Sequence, residues 1–261
     1  MQWAGGVFAP AHAALMGSVV LPPLNRADFA PELLVQAQRT WAQRTRTEFR
    51  SVQIMTRFLT EVVGAGDPID VYAGVVDLIA DEVRHVALCA SLTRALGAQP
   101  TLPEPVRLQD PPQFLKASMG ERALHTGIAM VLINETLSVA FIGDLAARCQ
   151  HPAVQHVLNA TLADEDGHEA FGLAYVRASL GRFPESTLPA WRGLVTETLS
   201  GHRAAATRAL ADVPADRQTL AAWPDQDRAN LGLFSPARQA LVFRAAEARL
   251  LATLRDLKLA D

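Results

Sequence analysis

One five-residue pattern occurs twice in this chain: Asp81-Glu82-Val83-Arg84-His85 and Asp164-Glu165-Asp166-Gly167-His168. With only 12 Glu and 7 His among 261 residues, chance supplies less than one Glu-x-x-His. On a helix, residues three apart share a face, so each Glu and His can reach one point in space. The pattern therefore asks for two helices whose polar faces meet.

Punctuation along the chain predicts four long helices. The first starts near Pro31, a favoured first-turn residue, and stops at Gly64-Ala65-Gly66. The second opens with Asp67 as cap and Pro68 as its first helical residue, and ends at Gly97. Pro100, Pro103, Pro105, Pro111 and Pro112 then mark residues 97–117 as an extended connection. The third helix begins at a capping box, Ser118 and Glu121, and runs to about Cys149. The fourth follows His151-Pro152 and reaches Gly181. Short turns inside each pair and one long connection between the pairs describe an all-α four-helix bundle with a crossover between helices two and three. Further helices are expected over 185–211 and 235–257. The expected layout is an N-terminal arm (1–30), the bundle (31–181) and a C-terminal helical extension packed on it (182–261).

The pairs of Glu and His need companions. The third helix is apolar nearly all round and holds one charged residue in its middle, Glu135. On the first helix, Glu48 lies about as far from its turn as Glu82 does, whereas Glu61 lies much nearer. Depth selects Glu48. Four carboxylates in an apolar interior repel one another and lose hydration at several kcal/mol each. Two divalent cations would neutralise them. Two imidazoles then provide one nitrogen per metal, a donor set suited to iron or manganese.

Glu48, Glu82-x-x-His85, Glu135 and Glu165-x-x-His168 resemble the dinuclear-metal motif of the ferritin-like superfamily: one Glu from each of two helices and Glu-x-x-His from each of the others. The resemblance spans about residues 31–181. Asp-Glu-x-Arg-His is similar to the form found in oxygen-activating members, the bacterial multicomponent monooxygenase hydroxylases and the acyl-carrier-protein desaturases. It implies that Asp81 and Asp164 hold the histidine tautomers, with Arg84 beside them. It also implies that Glu82 and Glu165 bridge the metals while Glu48 and Glu135 bind at the ends. The second copy departs by placing Gly167 where the first has Arg84. A helical glycine costs about 1 kcal/mol relative to alanine, which suggests close packing or room for a small molecule there.

The resemblance implies two iron ions, with manganese possible in one position, and a non-haem oxidase or oxygenase that activates dioxygen to oxidise a small organic substrate. Oxidation of ferrous iron is the first alternative, and a non-catalytic metal-bound interaction protein the second. About 80 residues beyond the 31–181 core set the chain apart from a simple ferritin. No haem or flavin is expected, so electrons come from an external donor. Residues one turn from the ligands are expected to line the substrate pocket: Thr45, Val52, Val131, Val139, Thr161 and Gly172. These are small or apolar and imply a modest nonpolar substrate. Glu169 is a candidate for contact with the outer edge of the site. His125, His151, His156 and His202 are expected at the surface or at helix caps, and the arginines around Glu48 on a solvated face.

A net charge of −3 gives no footprint for nucleic acid. Cys89 and Cys149, the only cysteines, cannot build a thiolate metal site and suit a reducing compartment. The apolar N-terminus has no basic residue before Arg26 and is broken by Gly and Pro, so an irregular arm is expected, with the remnant of a longer region as the alternative. No membrane span is expected, and the cytoplasm is the expected location. A homodimer through the C-terminal helices is a further expectation.

Overall fold

The computed structural model describes Gly6 and residues 9–16, 20–100 and 112–261. Among these residues every regular element is helical. Two hairpins of long helices form the centre. In the first, α1 (Pro31–Ala65) has Pro31 in its first turn and ends on Gly66, whose φ of 72° only glycine adopts readily. α2 (Ile69–Ala95) runs back against it. In the second, α3 (Met119–Arg148) opens with the Ser118–Glu121 capping box and is followed by α4 (Pro152–Leu180). The start of α3 lies on α1, and α4 lies on α2.

Asp67 departs from expectation. It does not cap α2, which starts after Pro68. Its buried carboxylate accepts a 3.0 Å hydrogen bond from Tyr175 and pairs with Arg182, so it ties the α1–α2 turn to the end of α4. The connection between hairpins falls largely on residues 101–111, outside the described residues. At its end, Pro112–Lys116 is helical rather than extended, with Phe114 buried beneath the guanidinium groups of Arg57 and Arg122.

Two apolar clusters sit at opposite ends of the four helices. One holds Trp41, Leu88, Leu92, Leu145, Val154 and Leu158; the other holds Met55, Phe58, Leu78, Val131 and Tyr175. On every helix the acidic residues singled out in the sequence fall between these two sets. Each buried large apolar side chain contributes about 1.5–3 kcal/mol. The polar middle is thus held by the ends and does not need to stabilise the fold itself.

α3 contains a feature that periodicity does not reveal. Gly127–Asn134, just before Glu135, is wound as a π-helix. α4 crosses this wide turn closely: a Cβ on Gly172 would overlap the carbonyl oxygen of Val131, and one on Gly127 would press on the ring of Tyr175. α3 is also long and apolar enough to cross a membrane by length and composition alone, contrary to the expectation of no such run. It carries Glu135 at its middle and is covered by α4, α5 (Leu188–Leu210) and α6 (Pro236–Asp256).

The C-terminal helices are integral to the core. α5 and α6 pack on each other and on α3 through Trp191, Leu199, Phe243 and Leu250. α6 starts with Ser235 as its cap, as its sequence suggests. Arg238 forms a two-pronged pair with Asp144 of α3, at 2.9 and 2.6 Å. Ahead of α6, the carbonyl of Leu231 accepts from the Trp41 indole at 2.8 Å, fastening residues 226–234 over α1. The N-terminal arm is not wholly irregular: Ala9–Met16 is a helix, and Met16, Leu21, Leu24 and Phe29 pack against the cluster around Trp41.

Candidate metal centre

Each of the four central helices brings one carboxylate to the middle of the molecule. Glu82, Glu135 and Glu165 are buried together with His85 and His168, while Glu48 is half-buried. Glu48, Glu82 and His85 each place a donor atom within 4.8 Å of one another, and so do Glu82, Glu135 and His168. The two groups share Glu82. Glu165 stands across from it, with Oε1 3.6 Å from Nδ1 of His85 and Oε2 3.4 Å from Nδ1 of His168. Glu82 also straddles both rings, at 3.7 Å from His85 and 4.0 Å from His168. Two carboxylates therefore each offer one oxygen to each side, and Glu48 and Glu135 lie at the outer positions.

The imidazoles are fixed from behind and in crossed fashion. Nε2 of His85 is 3.0 Å from Asp164, and Nε2 of His168 is 3.2 Å from Asp81, so each motif's aspartate holds the other motif's histidine. Arg84 joins the two aspartates: it donates to Asp81 at 2.6 Å and to Asp164 at 3.0 Å. One arginine therefore serves both copies, which accounts for its absence from the second. Gly167 faces outward, with nothing within 4 Å of an added Cβ, so neither close packing nor a ligand space explains it.

With Nε2 engaged, Nδ1 of both rings points into the carboxylates. Both Nδ1 atoms, Oε2 of Glu82 and Oε2 of Glu165 are buried without a hydrogen-bond partner. Buried polar atoms are rarely left so, and unpartnered ligand atoms converging from α2 and α4 fit cations held between them. Without cations, protons take that role. Burial disfavours a charged His85, but the Asp164 hydrogen bond and the nearby Glu82 outweigh it and push its pKa up to about 10. His168 reaches about 11, with burial overcome by Glu135 and Glu165. Burial raises Glu165 to about 7, and burial followed by repulsion from Glu82 raises Glu48 well above the carboxylate range.

A cavity of about 380 Å³ opens beside the cluster between α1 and α3, bounded by Glu48, Glu82, Glu135 and Glu165. Its other walls are Thr47, Arg50, Ser51, Ile54, Met130, Asn134 and Ser138. None of the residues expected to line a pocket is among them. Thr45 is buried and donates to the Trp41 carbonyl; Val131 belongs to the apolar cluster and Gly172 to the helix crossing. Val52 lies part-buried on α1. Thr161 borders a smaller cavity behind Glu48, and Val139 another with Glu169 and Arg249. The expected residues were mostly four positions from a ligand, whereas Ser51 and Ser138 are three positions after one. Positions i+3 and i+4 fall on opposite sides of residue i, and spacing alone does not say which side is open.

Glu61, set aside on depth, is buried away from the site, paired with Arg57 at 3.2 Å and accepting from Thr126 at 2.7 Å. Glu169 accepts from Thr136 at 3.2 Å, beside Glu135 in sequence. Arg44 is not on a solvated face: it stacks 4.5 Å from the Trp41 ring and donates to Gly232. His151 precedes α4 without capping it, and its ring meets Phe29. His125 lies against Phe114, His156 is half-buried, and His202 stacks on Phe243.

Compared with known proteins, the chain matches no family, no curated protein and no solved structure. What stands on its own geometry is an all-helical protein with acidic and histidine side chains close enough together to bind metal.

Proposed function

We propose that this chain is a ferritin-like di-iron protein that activates dioxygen to oxidise a small organic molecule. The observation that carries the proposal is the convergence of two unpartnered Nδ1 atoms with two carboxylates that each face both of them. His85 with Glu48 would hold one metal and His168 with Glu135 the other, with Glu82 and Glu165 between. Mixed carboxylate and imidazole donors suit iron, with manganese as the near alternative. Bound there, the metal pair supplies the redox chemistry for dioxygen reduction.

The chain's own residues do the rest. Asp81 and Asp164 keep Nε2 engaged, so Nδ1 is the nitrogen presented to the centre. The apolar clusters at both ends exclude water along the bundle axis. The cavity between α1 and α3 gives a lateral approach, where a substrate would meet the cluster from the side of Glu48 and Glu135. Its volume favours an organic substrate over passage of iron alone.

The test is anaerobic loading with two ferrous ions per chain, then rapid mixing with dioxygen while oxygen uptake and iron oxidation are followed. Stoichiometric uptake that stops after the bound iron is oxidised, and resumes with an added reductant, supports an oxidase. Continuous turnover of excess ferrous iron would instead identify iron as the substrate. No uptake would sink both.

A further inference from the structure

The cavity beside the cluster is not the nonpolar pocket that the sequence suggests. Four of the seven lining residues other than the glutamates carry a hydroxyl or amide group, Thr47, Ser51, Asn134 and Ser138, with Met130 and Ile54 as the apolar part. Arg50 also lines it and is exposed to solvent. Among the described residues Arg50 makes no hydrogen bond or ion pair, unlike Arg44, Arg84 and Arg148, each of which has a partner.

Charge decides what such a space accepts. Four carboxylates and two divalent cations sum to neutrality, which leaves the Arg50 guanidinium as the cavity's uncompensated charge. A guanidinium presents a fork of N–H donors that matches a carboxylate with two parallel hydrogen bonds. Hydroxyl and amide groups can serve the remaining oxygen lone pairs, and a cavity of about 380 Å³ suits a molecule of modest size.

We infer that the cavity binds a small carboxylic acid as its anion, with the carboxylate on Arg50 and the remainder of the molecule turned toward the four glutamates. The anion's binding rests on metals neutralising the four glutamates, and treating that acid as the substrate rests on the proposed oxidase function. The acid group holds the molecule at Arg50, and Met130 and Ile54 offer its carbon skeleton an apolar contact.

The experiment is calorimetric titration of benzoate and hexanoate, each against its uncharged amide, into wild-type protein, R50Q and R50K, with and without loaded iron. The acids are expected to bind at least about tenfold more tightly than the amides, and R50Q should remove that preference while R50K keeps part of it. Arg50 is exposed, so the variants should melt as the wild type does, and metal analysis should return the same iron content. Equal binding of acid and amide overturns the inference. So does an acid affinity unchanged in R50Q, which would place the carboxylate on the metals, and so does failure of both acids to bind. Acid preference that depends on Arg50 in iron-loaded protein that takes up no dioxygen would uphold this assignment and remove the oxidase. Dioxygen uptake by iron-loaded protein without acid preference would do the reverse.

Discussion

Each imidazole at the centre answers to a carboxylate on another helix. Asp164 holds His85 and Asp81 holds His168, so the two motifs work only as a pair. Replacing Asp164 by Asn keeps the shape but removes the anion behind His85. D164N is expected to weaken the His85 side of the site by about 10–100-fold in metal affinity, with the His168 side less affected. Competition titrations against a chelator would resolve two unequal sites, and two equal ones would count against the crossed support. Glu135 is the only charged residue in a long apolar stretch of α3, which is why it was legible in the sequence. Glu48 had to be selected over Glu61 by depth, and the buried ion pair at Glu61 shows what a helical Glu does when it lies at the wrong depth. The crossed pairing itself was not legible, because spacing within a motif carries no information about which helix faces which.

Helix boundaries followed from local chemistry, and the departures came from tertiary forces. Pro31, Gly66, Ser118 with Glu121 and Ser235 act where expected, since a cap or a proline works on its own turn. Asp67 looked like a cap, yet Tyr175 and Arg182, over a hundred residues away, draw it elsewhere. The π-helix over Gly127–Asn134 was equally hidden. Its apolar sequence suits an α-helix, and only the close approach of α4 at Gly172 marks the wider turn. Two glycines on α4 should therefore behave oppositely. G172A forces the backbones apart and is expected to destabilise by about 1–3 kcal/mol, while G167A meets open space and should stabilise by about 1 kcal/mol. Urea unfolding of both variants checks the pair. A stable G172A would mean that the crossing yields more easily than the geometry implies.

At the scale of the whole molecule, the C-terminal helices complete the core that α3 begins, and Asp144 with Arg238 is their polar fastening. Burial alone would raise the Asp144 pKa, but hydrogen bonds from Arg238 and Arg148 outweigh it and bring it below the ordinary value. The sign follows: a carboxylate with a lower pKa in the folded state adds stability above its unfolded pKa and loses it as pH falls through the folded value. D144N leaves the buried Arg238 without its charge partner and is expected to cost about 3 kcal/mol. The melting-temperature gap between wild type and D144N should stay constant between about pH 5 and 8 and narrow below about pH 4. Calorimetric melting across that range tests this, and a gap that widens in acid would contradict it.

The two-metal centre is the central claim, and metal stoichiometry tests it most directly. Protein prepared with ferrous iron is expected to hold about two ions per chain, and E135A to lose at least the ion on the His168 side while its circular dichroism stays helical. Two ions in wild type and fewer in E135A would support the centre as described. No bound metal in the wild type, or two ions retained by E135A, would contradict it.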